Sequence, residues 1–467
     1  MNLNTSIDNW VKKHKDEIVK STQEIIRIKS VEEKPMQGMP FGEGPYRALD
    51  NTLKLCEDLG FETKDLEGYA GYAEFGEGNE TIGVLVHLDV VPEGEGWTYP
   101  PYGGEIRDGK IYGRGATDDK GPAIASLYAM KAIKDLGLSI GKKIRIIFGT
   151  NEETGWGCMD YYFKHEKAPS MAFTPDSDFP VIHGEKGIIV FDLAQGFKDN
   201  NGEIKLIDLK GGNAPNMVPD NAKAILEVEN PDKILSKAKT YIEGKNYPVE
   251  VNENRNQIEI IAKGISAHGS TPEKGENAIS YLMAVLDFVL EEGELKEFAR
   301  IYNERIGFKH HGENIGCGLE DDISGKLNFN PGMIKFEDNK ITLKINVRYP
   351  IKSNPREVYD GILNNLKDTN IELVEGKGDN KPLYVPKDNF LVEKLMKVYR
   401  EQTEDLSSEP ITIGGGTYAR AMENAVAFGP MFPGQEDVAH QKDEYISIEH
   451  LLKITKIYAH ALYELAK

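Results

Sequence analysis

Apolar residues recur along the chain with two periods. Ile7, Trp10, Val11, Ile18, Ile25 and Ile26 fall at helical spacing, so the opening segment predicts a helix. An amphipathic stretch over 46–59, stopped by Gly60, predicts a second. Residues 82–91 are nearly all apolar and bounded by Gly and Pro, the pattern of a strand buried on both faces. Residues 122–136 read as a helix closed by Gly137, 143–148 as another buried strand, and 156–163 as a helix. Strand and helix in alternation predict an α/β layer with helices on both faces of a sheet.

The texture changes between Gly184 and Asn380. Ile341, Leu343, Ile345 and Val347 alternate with Thr342, Lys344, Asn346 and Arg348, the mark of a half-exposed sheet with one dry face. Helices over 231–244 and 277–291 would lie on that sheet. The last segment returns to buried patterns, with helices over 390–400 and 447–466 and Ser447 as an N-cap. A central segment of different texture between two similar ends predicts a split α/β domain, a mixed sheet flanked by helices over 1–183 and 381–467. An α+β domain is inserted at 184–380.

Composition narrows the function. With 467 residues the chain is long enough for about three folding units. Lys and Arg number 56 against 76 Asp and Glu, a net charge of −20. That balance repels phosphate backbones and anionic lipid, so neither a nucleic acid nor a membrane is expected as partner, and it favours a site that gathers cations. Cys56, Cys158 and Cys317 lie far apart, which argues against a disulfide framework or a thiolate metal site and for a reducing, cytoplasmic compartment. Lys12, Lys13, Asp16 and Glu17 interrupt any apolar leader, and no apolar run approaches the roughly 20 residues of a spanning helix.

Phosphate-loop, dinucleotide, His-Glu-x-x-His and Gly-x-Ser-x-Gly signatures are all missing. What remains is a dispersed set of carboxylates and histidines at predicted strand ends. His87 and Asp89 project to one side at the end of the first buried strand, where Asp89 is placed to hold the second nitrogen of a metal-bound imidazole. Asp118 and Asp119 lie in the glycine-bounded loop GRGATDDKG, and Glu152 and Glu153 follow the second buried strand. Consecutive glutamates point apart, so one can bind metal while the other faces a bound water. Asp176 follows the apolar run 171–173, and His440 precedes the final helix. Singly, each has a plainer account: a satisfied core histidine, acids at a helix start, a turn aspartate. Jointly they supply two His and three carboxylates, the N/O donor set suited to two zinc ions about 3.5–4 Å apart.

The motifs HLDVVPEGEGW (87–97), GRGATDDKGP (113–122), GTNEETG (149–155), TPDSDFP (174–180), GISAHGSTP (264–272), NVRYP (346–350) and GGGTYAR (414–420) resemble the aminoacylase/carboxypeptidase family of di-zinc metallopeptidases. Their order and full-length spacing are similar to its PepV-like bacterial dipeptidase branch. The resemblance implies a catalytic domain with an inserted lid, and two zinc ions, with manganese or cobalt as possible replacements. It implies that His87, Asp118 and Asp176 hold one ion, that Asp118, Glu153 and His440 hold the other, and that Glu152 is the general base. A cis peptide after the bridging aspartate is implied as well. From the lid, Asn216, His268 and Arg348 would contact the substrate. Arg348 would take its C-terminal carboxylate with help from Gly414, Gly415 and Gly416, and His268 would donate to the developing oxyanion. The expected substrate is a dipeptide, and a lid close to twice the size usual in the family implies a monomer. An N-acyl-amino-acid or succinyl-diaminopimelate amidohydrolase would share the metal motifs. A catalytically silent metal- or peptide-binding protein is the other rival. His310 and His311 match no motif.

Overall fold

A computed structural model describes residues 3–198 and 204–467. The chain divides into two compact units. One comprises Met1–His183, Tyr384–Ile411 and Gly416–Lys467; the other comprises Gly184–Leu383 and Thr412–Gly415.

The first unit is α/β. Its central strands run in the order Glu62–Leu66, Ala70–Phe75, Lys143–Gly149, Thr81–His87, Met171–Thr174 and Ala425–Ala427. The first three pair antiparallel, and the last four are mutually parallel, so the sheet is mixed. His87 is in register with Gly149, and Val84 with Phe173. Parallel strands in this register end on one edge of the sheet, where open α/β sheets place their ligand sites.

The core of this unit forms around Lys120–Asp135, a helix rich in alanine and buried almost all round, which packs against the sheet and against Ile448–Ala466. Ala123, Ala125, Ala129 and Ala132 allow the close approach, and Leu451, Tyr458 and Leu462 fill the facing side. Ser447 caps the final helix by accepting the amide of His450 at 3.1 Å.

Two local expectations are corrected. The opening helix is two helices, Leu3–Lys13 and Lys15–Ile26, broken at His14, whose ring stacks on Trp10 at 3.9 Å. The buried strand predicted to reach residue 91 ends at His87. Leu88 and Val90 remain buried, but the Val90 amide donates to Ser30 at 3.1 Å instead of continuing the ladder. Burial alone does not distinguish a strand from a buried loop.

The second unit is α+β. Its eight-stranded sheet is antiparallel throughout, in the order Val249–Asn254, Gln257–Lys263, Asn221–Val228, Ile204–Gly211, Asn328–Glu337, Lys340–Tyr349, Gly187–Gly196 and Glu372–Val374. Ile341, Leu343, Ile345 and Val347 face one core, joined by residues of the helices Pro231–Lys245, Ala278–Val289, Glu294–Arg305 and Pro355–Leu366. The last two helices were not anticipated, although Leu295, Phe298, Ile301 and Tyr302 carry the spacing. The opposite face is not simply exposed. Asn328, Asn330, Asn346 and Arg348, which lie on it, are all buried. Among the described residues, no helix is long and apolar enough to cross a membrane.

Leu462 is fully buried against the central helix of the first unit. Leu462→Ala should cost about 2–5 kcal/mol through lost burial and the cavity left behind. Urea unfolding followed by fluorescence checks this.

Candidate metal centre

Three adjacent parallel strands deliver ligand-type side chains to one edge of the first unit's sheet. His87 is the last residue of its strand, Glu152 and Glu153 follow Gly149, and Asp176 follows Thr174. Asp118 comes from the loop before the central helix, and His440 from the loop before the final one.

Asp118 is the hub. Its Oδ1 lies 2.9 Å from His87 Nε2, and its Oδ2 lies 2.8 Å from His440 Nε2. His440 Nε2 is also 3.2 Å from the Glu153 carboxylate, and Asp176 Oδ1 is 3.8 Å from His87 Nε2. Donor atoms of His87, Glu152 and Asp176 lie within 4.8 Å of one another, as do those of His87, Asp118 and Glu153. The Asp118–Asp119 peptide is cis. His440 adopts a left-handed backbone, φ 62°, a conformation uncommon outside glycine.

The role expected of Asp89 is corrected. His87 Nδ1 is 3.0 Å from the main-chain oxygen of Asp89 and 3.6 Å from its carboxylate, so the carbonyl is the imidazole's partner. The Asp89 carboxylate instead accepts the amides of Glu152 and Glu153, each at 3.0 Å. It positions the two glutamates. Glu152 Oε1 in turn accepts the Trp156 indole N–H at 3.1 Å. Gly149 is required where it stands, because a Cβ there would meet the Tyr418 hydroxyl at 2.1 Å.

Sequence reasoning missed a supporting pair. Glu444 is fully buried, bonds Arg114 Nη1 at 2.7 Å, and accepts the amides of Thr117 and Asp118 at 3.0 and 3.3 Å. Arg114 also donates to the His440 carbonyl at 3.2 Å. One buried ion pair therefore ties the Asp118 loop to the His440 loop. In the sequence Glu444 sits in the polar run Gln-Lys-Asp-Glu, which looks like solvated surface.

Burial and mutual repulsion govern the electrostatics. Burial, then the charge of neighbouring Asp118, pushes the Asp176 carboxyl up to about 7. Burial also raises Glu152 well above the usual carboxylate range, and Asp119 likewise. Asp118 goes the other way: burial opposes its charge, but hydrogen bonds from His440 and His87 hold it well below that range. Its hydrogen bonds to Asp118 and to Glu153 lift His440 to about 11. A cluster of largely buried carboxylates that raise one another, with imidazoles alone offsetting the repulsion at Asp118, is a site built for compact positive charge.

The second unit gathers the remaining predicted residues except Gly416. The Asn216 carbonyl accepts the Gly269 amide at 2.7 Å, next to His268, and Met217 bridges His268 main chain to main chain. Arg348 donates from Nη1 to the Gly414 carbonyl at 3.0 Å and from Nε to Asn346 at 2.9 Å. Gly414 lies against Ser270, where a Cβ would meet the serine Cβ at 2.8 Å. The Ser270 amide donates to His268 Nδ1 at 3.3 Å. The Ser270 hydroxyl lies 2.6 Å from the same Nδ1, so both contacts hold the imidazole beside Ser270. Gly415 belongs to this unit as well, whereas Gly416 belongs to the first.

The profile of peptidase family M20/M25/M40 matches residues 83–464. The chain belongs to this family. It is 42% identical to "Putative dipeptidase YtjP" of Bacillus subtilis (strain 168) over 98% of this chain and 100% of that one. It is 37% identical to "Putative dipeptidase SAR1836" of Staphylococcus aureus (strain MRSA252) over 97% and 98%. Among solved structures the fold resembles human carnosine dipeptidase 1, with TM-score 0.57 and 17% identity over 100% and 99% of the two chains. It also resembles the di-peptidase Dug1p of Saccharomyces cerevisiae, with TM-score 0.55 and 16% identity over 99% and 98%. Membership makes the chain a hydrolase of a metal-dependent peptidase family, and the imidazole and carboxylate donors around Asp118 suit such an ion.

Two outcomes follow from this geometry. Asp176 must be ionised to hold a cation, and its raised value near 7 means that protons compete below that pH. Affinity for Zn2+ should therefore fall as pH falls, about tenfold per pH unit for each proton displaced, with proton release on binding visible by calorimetry in buffers of different ionisation enthalpy. Constant affinity from about pH 8 to about pH 5.5 would contradict the assignment. Glu444→Ala leaves Arg114 buried without its partner and should cost about 3–5 kcal/mol, read from thermal or urea unfolding.

Proposed function

We propose that the chain is a dipeptidase that hydrolyses dipeptides with a free C-terminal carboxylate at a pair of divalent cations, zinc foremost, with manganese or cobalt able to replace it. The observation that carries this reading is Asp118, with one oxygen toward His87 and the other toward His440. A carboxylate so placed can serve two ions at once. His87, Asp118 and Asp176 would hold one, and Asp118, Glu153 and His440 the other. The names carried by the two relatives, matched over nearly their full length, support the dipeptide substrate.

Such a pair of ions, when bound, supplies Lewis-acid polarisation of the scissile carbonyl and lowers the pKa of water. The chain's own residues do the rest. Glu152, tethered through Oε1 to Trp156, takes the proton of the attacking water and delivers it to the leaving amine. Asp89 keeps Glu152 and Glu153 in register through their amides. His268 donates from Nε2 to the carbonyl oxygen as charge grows there. Arg348 receives the terminal carboxylate, which two parallel N–H donors recognise well. Asn216 and the backbone at Gly414–Gly416 complete the binding of the peptide. The second unit is on this reading the substrate-binding lid, and the enzyme a monomer. Three free, buried cysteines suit a cytoplasmic location.

The test separates base from ligand. Glu152→Gln should retain about two metal ions per chain, measured by elemental analysis, while kcat falls by about 10²–10⁴-fold. Glu153→Gln should lose metal. The reverse pattern would exchange the two roles. Cleavage of acetylated or succinylated amino acids in preference to dipeptides would move the chain to the amidohydrolases.

A further inference from the structure

The buried polar face of the second unit's sheet carries an arrangement that the substrate assignments leave unexplained. In the antiparallel pair Asn328–Glu337 and Lys340–Tyr349, Asn330 lies directly across from Asn346, and Asn328 across from Arg348. Directly opposed residues share a face of the sheet, so these four side chains form one patch. The intervening Phe329, Ile345 and Val347 belong to the core on the other face.

Each asparagine of the opposed pair engages a different substrate-binding group. Asn330 is fully buried, and its Nδ2 donates to the carbonyls of Pro215 and Met217, at 2.8 and 2.9 Å. These are the two residues flanking Asn216. Both N–H bonds of the amide are used, and two carbonyls can be met only by its nitrogen end, so the orientation of the side chain is settled. The Asn216 carbonyl then accepts from Gly269, and Met217 bridges His268, so the hold passes on to the histidine's backbone. Gly332 makes room for this contact, because a Cβ there would meet the Pro215 oxygen at 2.2 Å. Asn346 is 2% exposed and its Oδ1 accepts Arg348 Nε at 2.9 Å. The contact orients the guanidinium, whose Nη1 is directed to Gly414.

The Asn330 Oδ1 atom is buried and accepts no hydrogen bond among the described residues. A side chain that served only to fill the sheet face would do better without an unanswered polar atom. Its donors are what the fold keeps.

We propose that Asn330 and Asn346 are positioning residues, a cross-strand pair that registers the oxyanion donor and the carboxylate clamp against each other. Asn330 sets the Asn216–His268 element, and Asn346 sets Arg348. The inference rests on the dipeptidase reading. It adds that the spacing between the scissile carbonyl and the terminal carboxylate is measured by one rung of the sheet, which gives a physical basis for preferring peptides of a single length.

The experiment uses the full-length, zinc-loaded enzyme with a dipeptide and the matching dipeptide amide. Asn330→Asp keeps the shape but turns acceptors toward two carbonyls, and should lower kcat by about 10²-fold for both substrates with little change in KM. Asn346→Leu should raise KM for the dipeptide and erase the preference over the amide. Asn346→Asp keeps an acceptor for Arg348 Nε and should restore that preference. Metal content and circular dichroism are measured on every variant, with Asn330→Gln, which retains an amide donor, as a second probe of that position. A purely structural role would lower melting temperature without splitting kcat from KM, and that result overturns the proposal. An active wild type matched in rate by Asn330→Asp overturns it alone. A wild type that leaves dipeptides uncut overturns the functional reading, and this inference with it.

Discussion

The site depends on one constraint: several carboxylates must be kept close together away from water. Asp118 stays ionised there because two imidazoles from distant parts of the chain donate to it, one to each oxygen. Asp176 and Glu152, with weaker compensation, are driven toward the protonated form. Repulsion of that kind would open the loops if they were free to move, so the surrounding structure is devoted to holding them. The Asp89 carboxylate takes two consecutive amides, Glu444 takes two more, and Arg114 balances Glu444 while gripping the His440 loop. All are charge-assisted, and all but the Arg114–Glu444 ion pair are bonds to backbone. The negative charge is a tension that the scaffold contains and that a dication would relieve.

The parallel part of the first unit's sheet explains why so few elements are needed. Strands that start together and run in one direction also end together, and the residues just past their ends converge without special bends. His87, the glutamate pair and Asp176 arrive by this route. Asp118 and His440 arrive by loops, and it is those loops that the Arg114–Glu444 pair joins.

The second unit solves a different problem. Its sheet alternates in the ordinary way, apolar toward the helices and polar away, yet the polar side is buried at the end carrying Arg348. A buried polar patch is tolerable only when its members answer one another or the backbone. Here asparagines do so with donors turned to carbonyls and an acceptor turned to the guanidinium, leaving the Asn330 Oδ1 unanswered among the described residues.

Much of this was legible in the sequence, for a physical reason. Hydrophobic period reports burial, so Lys143–Gly149, the central helix and the Ile341–Val347 alternation could be read directly, and the capping geometry of Ser447 needed only neighbours. The motif residues were legible because metal chemistry restricts donor types and because loops between regular elements carry them. What the sequence could not report is any contact whose partners are far apart in the chain and ordinary in themselves. Glu444 sits among solvated residues and becomes a buried anchor only when the Asp118 loop folds onto it. Asp89 looks like the imidazole's partner because it is two residues away, but the turn after His87 offers its carbonyl and sends the carboxylate to the glutamate amides. Asn330 reads as a polar interruption in a strand until register sets it opposite Asn346. Local pattern determined the elements and the chemical type of the site. Tertiary structure alone decided which polar atom answers which, because a hydrogen bond is specified by atoms within about 3 Å, and no period in the sequence encodes that distance.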